Sequence, residues 1–235
     1  MRSLSRYVLG LTLAAALGAC GGSPTDEAAP RDAASEEGAA ENAAPVAGPQ
    51  QRILAFGNSL FAGYGVGVEN SYPAKLEDAL RARGVNAAVV NAGVSGDTTA
   101  AGRQRLAFTL DAQEEKPDLF ILELGGNDML RGFSPEQTRA NFEAMLDELA
   151  ARDIPVLLMG MRAPPNYGED YQRDFDALYG ELAEEYGAEL IPFWLETIYQ
   201  RPNLFQSDRI HPTEEGLDEL VRATVDEVEE ALPDQ

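Results

Sequence analysis

From Arg52 onward, short apolar runs alternate with longer stretches whose apolar positions recur at helical spacing. The runs are RILAFG (52–57), AAVVNA (87–92), DLFILELG (118–125), PVLLMGM (155–161) and AELIPF (188–193). They are continuous rather than alternating, the pattern of strands buried on both faces. The stretches between them carry helix-end signals. Ser71 stands where a cap belongs, with Pro73 in the opening turn and Gly84 as the stop. Ser134-Pro135-Glu136-Gln137 has capping-box spacing, with proline at the first helical position. A helix from about Glu169 to Tyr186 should stop at Gly187, and Thr213 should cap a final helix reaching about Ala231. Five strands alternating with helices predict an α/β fold, a three-layer α/β/α sandwich around a five-stranded parallel sheet. Ligands of such sheets bind beyond the carboxyl ends of the strands. Polar groups just after a strand are therefore the places to look for chemistry.

The pattern changes before Arg52. Residues 1–20 hold Arg2 and Arg6, an apolar run from Tyr7 to Ala19, and Cys20. That run is too short to span a bilayer and has the charged-then-apolar order of a secretory signal. Leu17-Gly18-Ala19-Cys20 resembles a bacterial lipobox, in which the signal is cut before a cysteine that is then lipidated. Cys20 is the only cysteine in the chain and sits where the apolar run stops. Residues 21–50 are dominated by Ala, Pro, Gly and acids, with Val46 the one large aliphatic residue, a composition that cannot bury enough apolar surface to order itself. The expected organisation is a signal (1–20), a tether (21–50) and a folded domain (51–235). The expected location is outside the cytoplasm: a periplasmic lipoprotein held to a membrane, the outer rather than the inner, through lipidated Cys20.

Composition narrows the function classes. The 235 residues carry 40 Asp and Glu against 18 Lys and Arg, a net charge of −22 that argues against nucleic acid or an anionic membrane surface as partner. One cysteine excludes intrachain disulfides and a thiol nucleophile within the domain. With one histidine and no calcium-loop pattern, no metal site and no cofactor are expected. GYGVG (63–67) falls too far past the first strand for a dinucleotide fingerprint, lacks its third glycine, and Asn91 ends the second strand where an acid would hold a ribose.

Four polar clusters remain at strand ends. GNS (57–59) follows the first strand, NAGVSGDTT (91–99) the second, GGND (125–128) the third, and SDRIHPTEEG (207–216) lies between the fifth strand and the last helix. Each alone reads as turn chemistry, since Gly, Asn, Asp and Ser are favoured in any such loop. Together they hold the parts of a serine hydrolase. If Ser59 is a nucleophile with a histidine partner, His211 is forced, because it is the only histidine. Asp208, three residues earlier, is close enough to orient the imidazole. The backbone N–H groups of Ser59 and Gly96 and the side-chain amide of Asn127 are candidate donors to a developing oxyanion. Met129, Leu130 and Phe133 line an acyl pocket or belong to the core, and Ala163-Pro164-Pro165 suggests a stiff border to the site. Glu123, in the middle of an apolar strand, is placed to hydrogen-bond beneath the site and has no firm role beyond that.

The chain from Arg52 to Leu232 resembles the SGNH (GDSL) hydrolase superfamily, and within it the bacterial acyl-thioesterase/lysophospholipase/arylesterase subgroup. The resemblance rests on FGNSLFAGYG, NAGVSGDTT, ELGGNDMLRGF, DRIHP and MRAPPNYG. It implies a flavodoxin-like sheet, Ser59 as nucleophile, His211 as base, Asp208 as its orienter, and Ser59, Gly96 and Asn127 as the oxyanion hole. Small esters are the implied substrates: lysophospholipids, aryl esters, short-to-medium acyl esters and thioesters. Carbohydrate O-acetyl esters form an alternative class. The motif departs at Asn58, where the family has aspartate; the turn can survive this, and it also leaves open a weakly catalytic binding lipoprotein.

Overall fold

In the computed structural model, which describes residues 46–233, five strands form one parallel sheet. Cys20, the lipobox and most of the tether lie outside the described residues. Strand β1 (Gln51–Gly57) pairs with β2 (Ala87–Gly93) on one side and β3 (Leu119–Glu123) on the other; β4 (Val156–Met159) and β5 (Glu189–Ile191) follow β3. The order β2-β1-β3-β4-β5 is the flavodoxin-like one, with its switch point between β1 and β3. Crossovers are right-handed, so the leftward step to β2 and the rightward steps to β3, β4 and β5 put their helices on opposite faces. The contacts agree. Helix α2 (Tyr72–Ala82) packs against α8 (Glu214–Glu230), whereas α3 (Thr99–Asp111), α5 (Pro135–Ala151) and α6 (Glu169–Tyr186) pack in succession. Three short helices, α1 (Ser59–Ala62), α4 (Gly126–Leu130) and α7 (Glu196–Tyr199), sit beyond the strand ends.

The caps act as their residue types dictate. Ser71, Ser134 and Thr213 accept the backbone N–H groups of Ala74, Gln137 and Gly216, and Gln137 completes the capping box. Helix α6 ends at Gly187 in a left-handed conformation. Two expectations need correction. The continuous apolar runs imply burial on both faces, and β3 is buried throughout, but β2 is an edge strand with Val90 exposed. The runs at 118–125 and 155–161 are also longer than the strands they contain. Gly125 turns left-handed, φ 96°, and starts the short helix α4, while the chain after Met159 leaves the sheet as a loop. Gly93, at the end of β2, lies against α1 so closely that a Cβ there would be 2.5 Å from the Ala62 backbone nitrogen.

Candidate active site

The turn after β1 is built on a pair of residues from adjacent strands. Register places Gly57 opposite Glu123, the last residue of β3. Asn58 then donates its side-chain amide to Glu123 Oε1 (2.9 Å) and its backbone N–H to Oε2 (3.2 Å), while its own Oδ1 caps α1 by accepting from Leu60 N–H (2.9 Å). Glu123 has no solvent exposure. Burial pushes its carboxyl up to about 8, against the opposing effect of the two Asn58 hydrogen bonds. The acid in the apolar strand is thus the anchor of the turn that presents Ser59. An amide at position 58 suits this anchor because it donates where a carboxylate would face another carboxylate.

Ser59 opens α1 at the edge of a cavity, and the loop before α8 brings the other partners to it. His211 Nε2 lies 2.8 Å from Ser59 Oγ, and His211 Nδ1 lies 2.7 Å from Asp208 Oδ2. The other Asp208 oxygen accepts the N–H groups of Ile210 (2.9 Å) and His211 (3.1 Å), so one carboxylate fixes both the loop and the ring. Partial burial pushes the Asp208 carboxyl up, but the His211 ring and the two N–H groups outweigh this and hold it at about 2. Tyr64 stacks on the imidazole with ring centroids 4.1 Å apart. Gln206 joins the two loops: its amide donates to the Tyr64 and Pro212 carbonyls and its N–H to the His211 carbonyl.

The loops after β2 and β3 meet at the same point. Gly96 adopts φ 88°, and among the described residues neither its N–H nor that of Ser59 has an acceptor. Asn127 donates one amide hydrogen to the Asp97 carbonyl (2.9 Å), which leaves the second for a ligand. Arg105 holds this arrangement: it pairs with Asp97 (2.6 Å), donates to the Gly57 carbonyl (3.0 Å) and lies 3.7 Å from the centre of the Phe56 ring. Asp128 accepts the N–H and hydroxyl of Thr99, and Arg131 donates to the Gly96 carbonyl (2.7 Å).

The cavity has a volume of about 470 Å³ and is lined by Ser59, Gly96, Asn127 and His211 together with Met129, Leu130 and Pro164. Two expected wall residues are elsewhere. Phe133 is half-buried beside α6, its carbonyl accepting from Tyr171, and Ala163 is buried with its N–H donated to Asp176. Met161, in the MRAPPNYG loop, lines the far wall as well; sequence reasoning missed Tyr64 and the rest of that wall, which comes from Phe193, Leu195, Tyr199, Phe205 and Ile210. The available signal was the density of large apolar residues in 193–210, directly after the last strand.

Comparison with known proteins gives the same family as this geometry. The GDSL-like Lipase/Acylhydrolase family matches residues 55–218. An arylesterase of Vibrio mimicus is 40% identical over 166 residues, covering 71% of this chain and 82% of the relative. The thioesterase 1/protease 1/lysophospholipase L1 of Escherichia coli is 40% identical over 164 residues, covering 70% and 76%. The crystal structure of AlinE4, an SGNH-hydrolase family esterase, superposes with a TM-score of 0.68 at 60% identity, covering 80% of this chain and all of that one. The chain therefore belongs to the GDSL-like lipase/acylhydrolase (SGNH hydrolase) family and is an ester-hydrolysing enzyme.

Proposed function

We propose that the enzyme cleaves carboxylic esters through an acyl-enzyme formed on Ser59. Neutral His211 takes the hydroxyl proton as Ser59 Oγ attacks the carbonyl carbon, and Asp208 steadies the ring and the imidazolium that forms. Negative charge developing on the carbonyl oxygen is met by the N–H groups of Ser59 and Gly96 and the free amide hydrogen of Asn127. His211 then protonates the departing alcohol, and the same groups work in reverse when water cleaves the acyl-enzyme.

The observation that carries this reading is the unbroken hydrogen-bonded chain from Ser59 through His211 to Asp208 at the wall of the cavity. The apolar lining favours aryl and short-to-medium acyl esters, lysophospholipids and thioesters over sugar O-acetyl groups, which need polar subsites. In the organism the enzyme would act outside the cytoplasm, tethered by lipidated Cys20. Stopped-flow hydrolysis of a 4-nitrophenyl ester series tests the mechanism. A burst of one equivalent of phenol with esters whose acyl-enzyme clears slowly is expected, and Ser59→Ala or His211→Ala should lower turnover by about 10⁴-fold or more. Unchanged turnover in Ser59→Ala would end the proposal.

A further inference from the structure

Arg209 stands between Asp208 and His211 in a left-handed backbone conformation, φ 59°, which among the described residues only one other non-glycine residue, Asp153, adopts. Such a conformation is costly for a residue with a side chain and free for glycine. The turn enforces it: Arg209 N–H donates to the Gln206 carbonyl (2.9 Å) and Ile210 N–H to Asp208 Oδ1 (2.9 Å). A large cation therefore occupies a position that favours glycine, inside the loop that carries the base, and it lines the cavity. Among the described residues no carboxylate pairs with its guanidinium, since Asp208 is turned onto His211. Arg162 lines the cavity as well, on the far wall, 3.7 Å from Glu196 and 5.2 Å from the Phe193 ring centre. Acids outnumber bases in this chain by 40 to 18, yet among the described residues two arginines and no acid line the cavity. A cleft with apolar walls focuses such a local field against the charge of the whole molecule.

We propose that Arg209 makes the enzyme selective for esters whose alcohol half bears an anionic group, a carboxylate or a phosphate. The alcohol half is assigned because His211 must reach the departing oxygen and Arg209 is two residues away in one tight turn, within about 7 Å even of extended backbone. The far wall, apolar apart from Arg162, is left for the acyl half. This inference rests on the acyl-enzyme reading above, and it can fail while that reading stands.

The test compares the butyrate esters of 3-hydroxybenzoate and 3-hydroxyphenyl phosphate with that of neutral 3-hydroxybenzamide. In wild type, kcat/KM should favour the anionic esters, and the preference should shrink as salt is raised. Arg209→Gly, whose backbone suits the turn, should keep the unfolding midpoint at or above wild type. It should reduce the anionic-to-neutral ratio about tenfold, through KM of the anionic esters. Arg209→Lys should recover part of the ratio. A loss confined to one anionic ester identifies the group that is recognised. An equal loss on all three esters, or a ratio unaffected by both the substitution and salt, overturns the proposal. Failure of wild type to hydrolyse any of them removes the acyl-enzyme reading along with it.

Discussion

Asn58 and Glu123 place Ser59 jointly, through two buried hydrogen bonds that span 65 residues of sequence. Replacing Asn58 with aspartate sets two carboxylates against each other, and a buried pair of that kind shares one proton. Glu123, already pushed up to about 8, supplies it, so Asn58→Asp should change kcat/KM by less than about tenfold. A gain of several orders of magnitude would show that Asn58 cripples the natural enzyme. Glu123→Gln is predicted to do more harm, because a glutamine amide cannot accept both Asn58 donors; a loss of about 1–3 kcal/mol in urea unfolding is expected. The pH dependence follows from the same group. A carboxyl raised in the folded state binds protons that the unfolded chain releases, so stability is greatest below the ordinary glutamate range and falls as pH rises towards about 8. Buried Asp128, also raised by burial, adds the same sign. The urea midpoint should therefore drop between pH 5 and pH 8, and the drop should flatten in Glu123→Gln. The site was legible in part at this scale. Ser59, Gly96, Asn127, Asp208 and His211 are polar residues at strand ends, where chemistry is sought, and the structure gathers them. A hydrogen-bonding role for Glu123 beneath the site was legible from its place in an apolar strand, but its partner Asn58 was not, because only strand register reveals it.

The site depends on elements whose ends meet without slack. Gly93 closes β2 against α1, and a Cβ there would press on the backbone that follows Ser59. Gly93→Ala is predicted to cost about 1–3 kcal/mol of stability and to lower turnover, as measured by urea unfolding and ester hydrolysis on the same preparation. The four helices with strong cap signals could be read from sequence almost to the residue, because a capping side chain and a stop glycine are local facts. Helix α3 was not among them. Its cap, Thr98, is buried within the polar loop after β2, and its apolar positions lack a clean stripe, with Phe108 largely exposed. Strand edges were blurred for the opposite reason: apolar residues continue past β3 and β4, Leu124 as core and Met161 as both core and cavity wall, so the apolar run does not mark where the strand stops.

At the scale of the whole molecule, a charge of −22 works against compactness. Most ion pairs lie at the surface, where salt weakens them, but screening the general repulsion is the larger effect at this net charge. The thermal midpoint should therefore rise when NaCl is increased from about 0.05 to about 0.5 M; a fall would show that the ion pairs dominate. The fold class followed from alternation of element types, but the far cavity wall did not, because it is assembled from loops that only the folded sheet brings together. The central claim is likewise a long-range one: an imidazole 152 residues away activates the hydroxyl after β1. Labelling with a fluorophosphonate, read by intact mass and peptide mapping, tests it most directly. One adduct on Ser59 is predicted, absent in Ser59→Ala and strongly slowed in His211→Ala. A well-folded protein that takes no label, or takes it on another residue, would contradict the account.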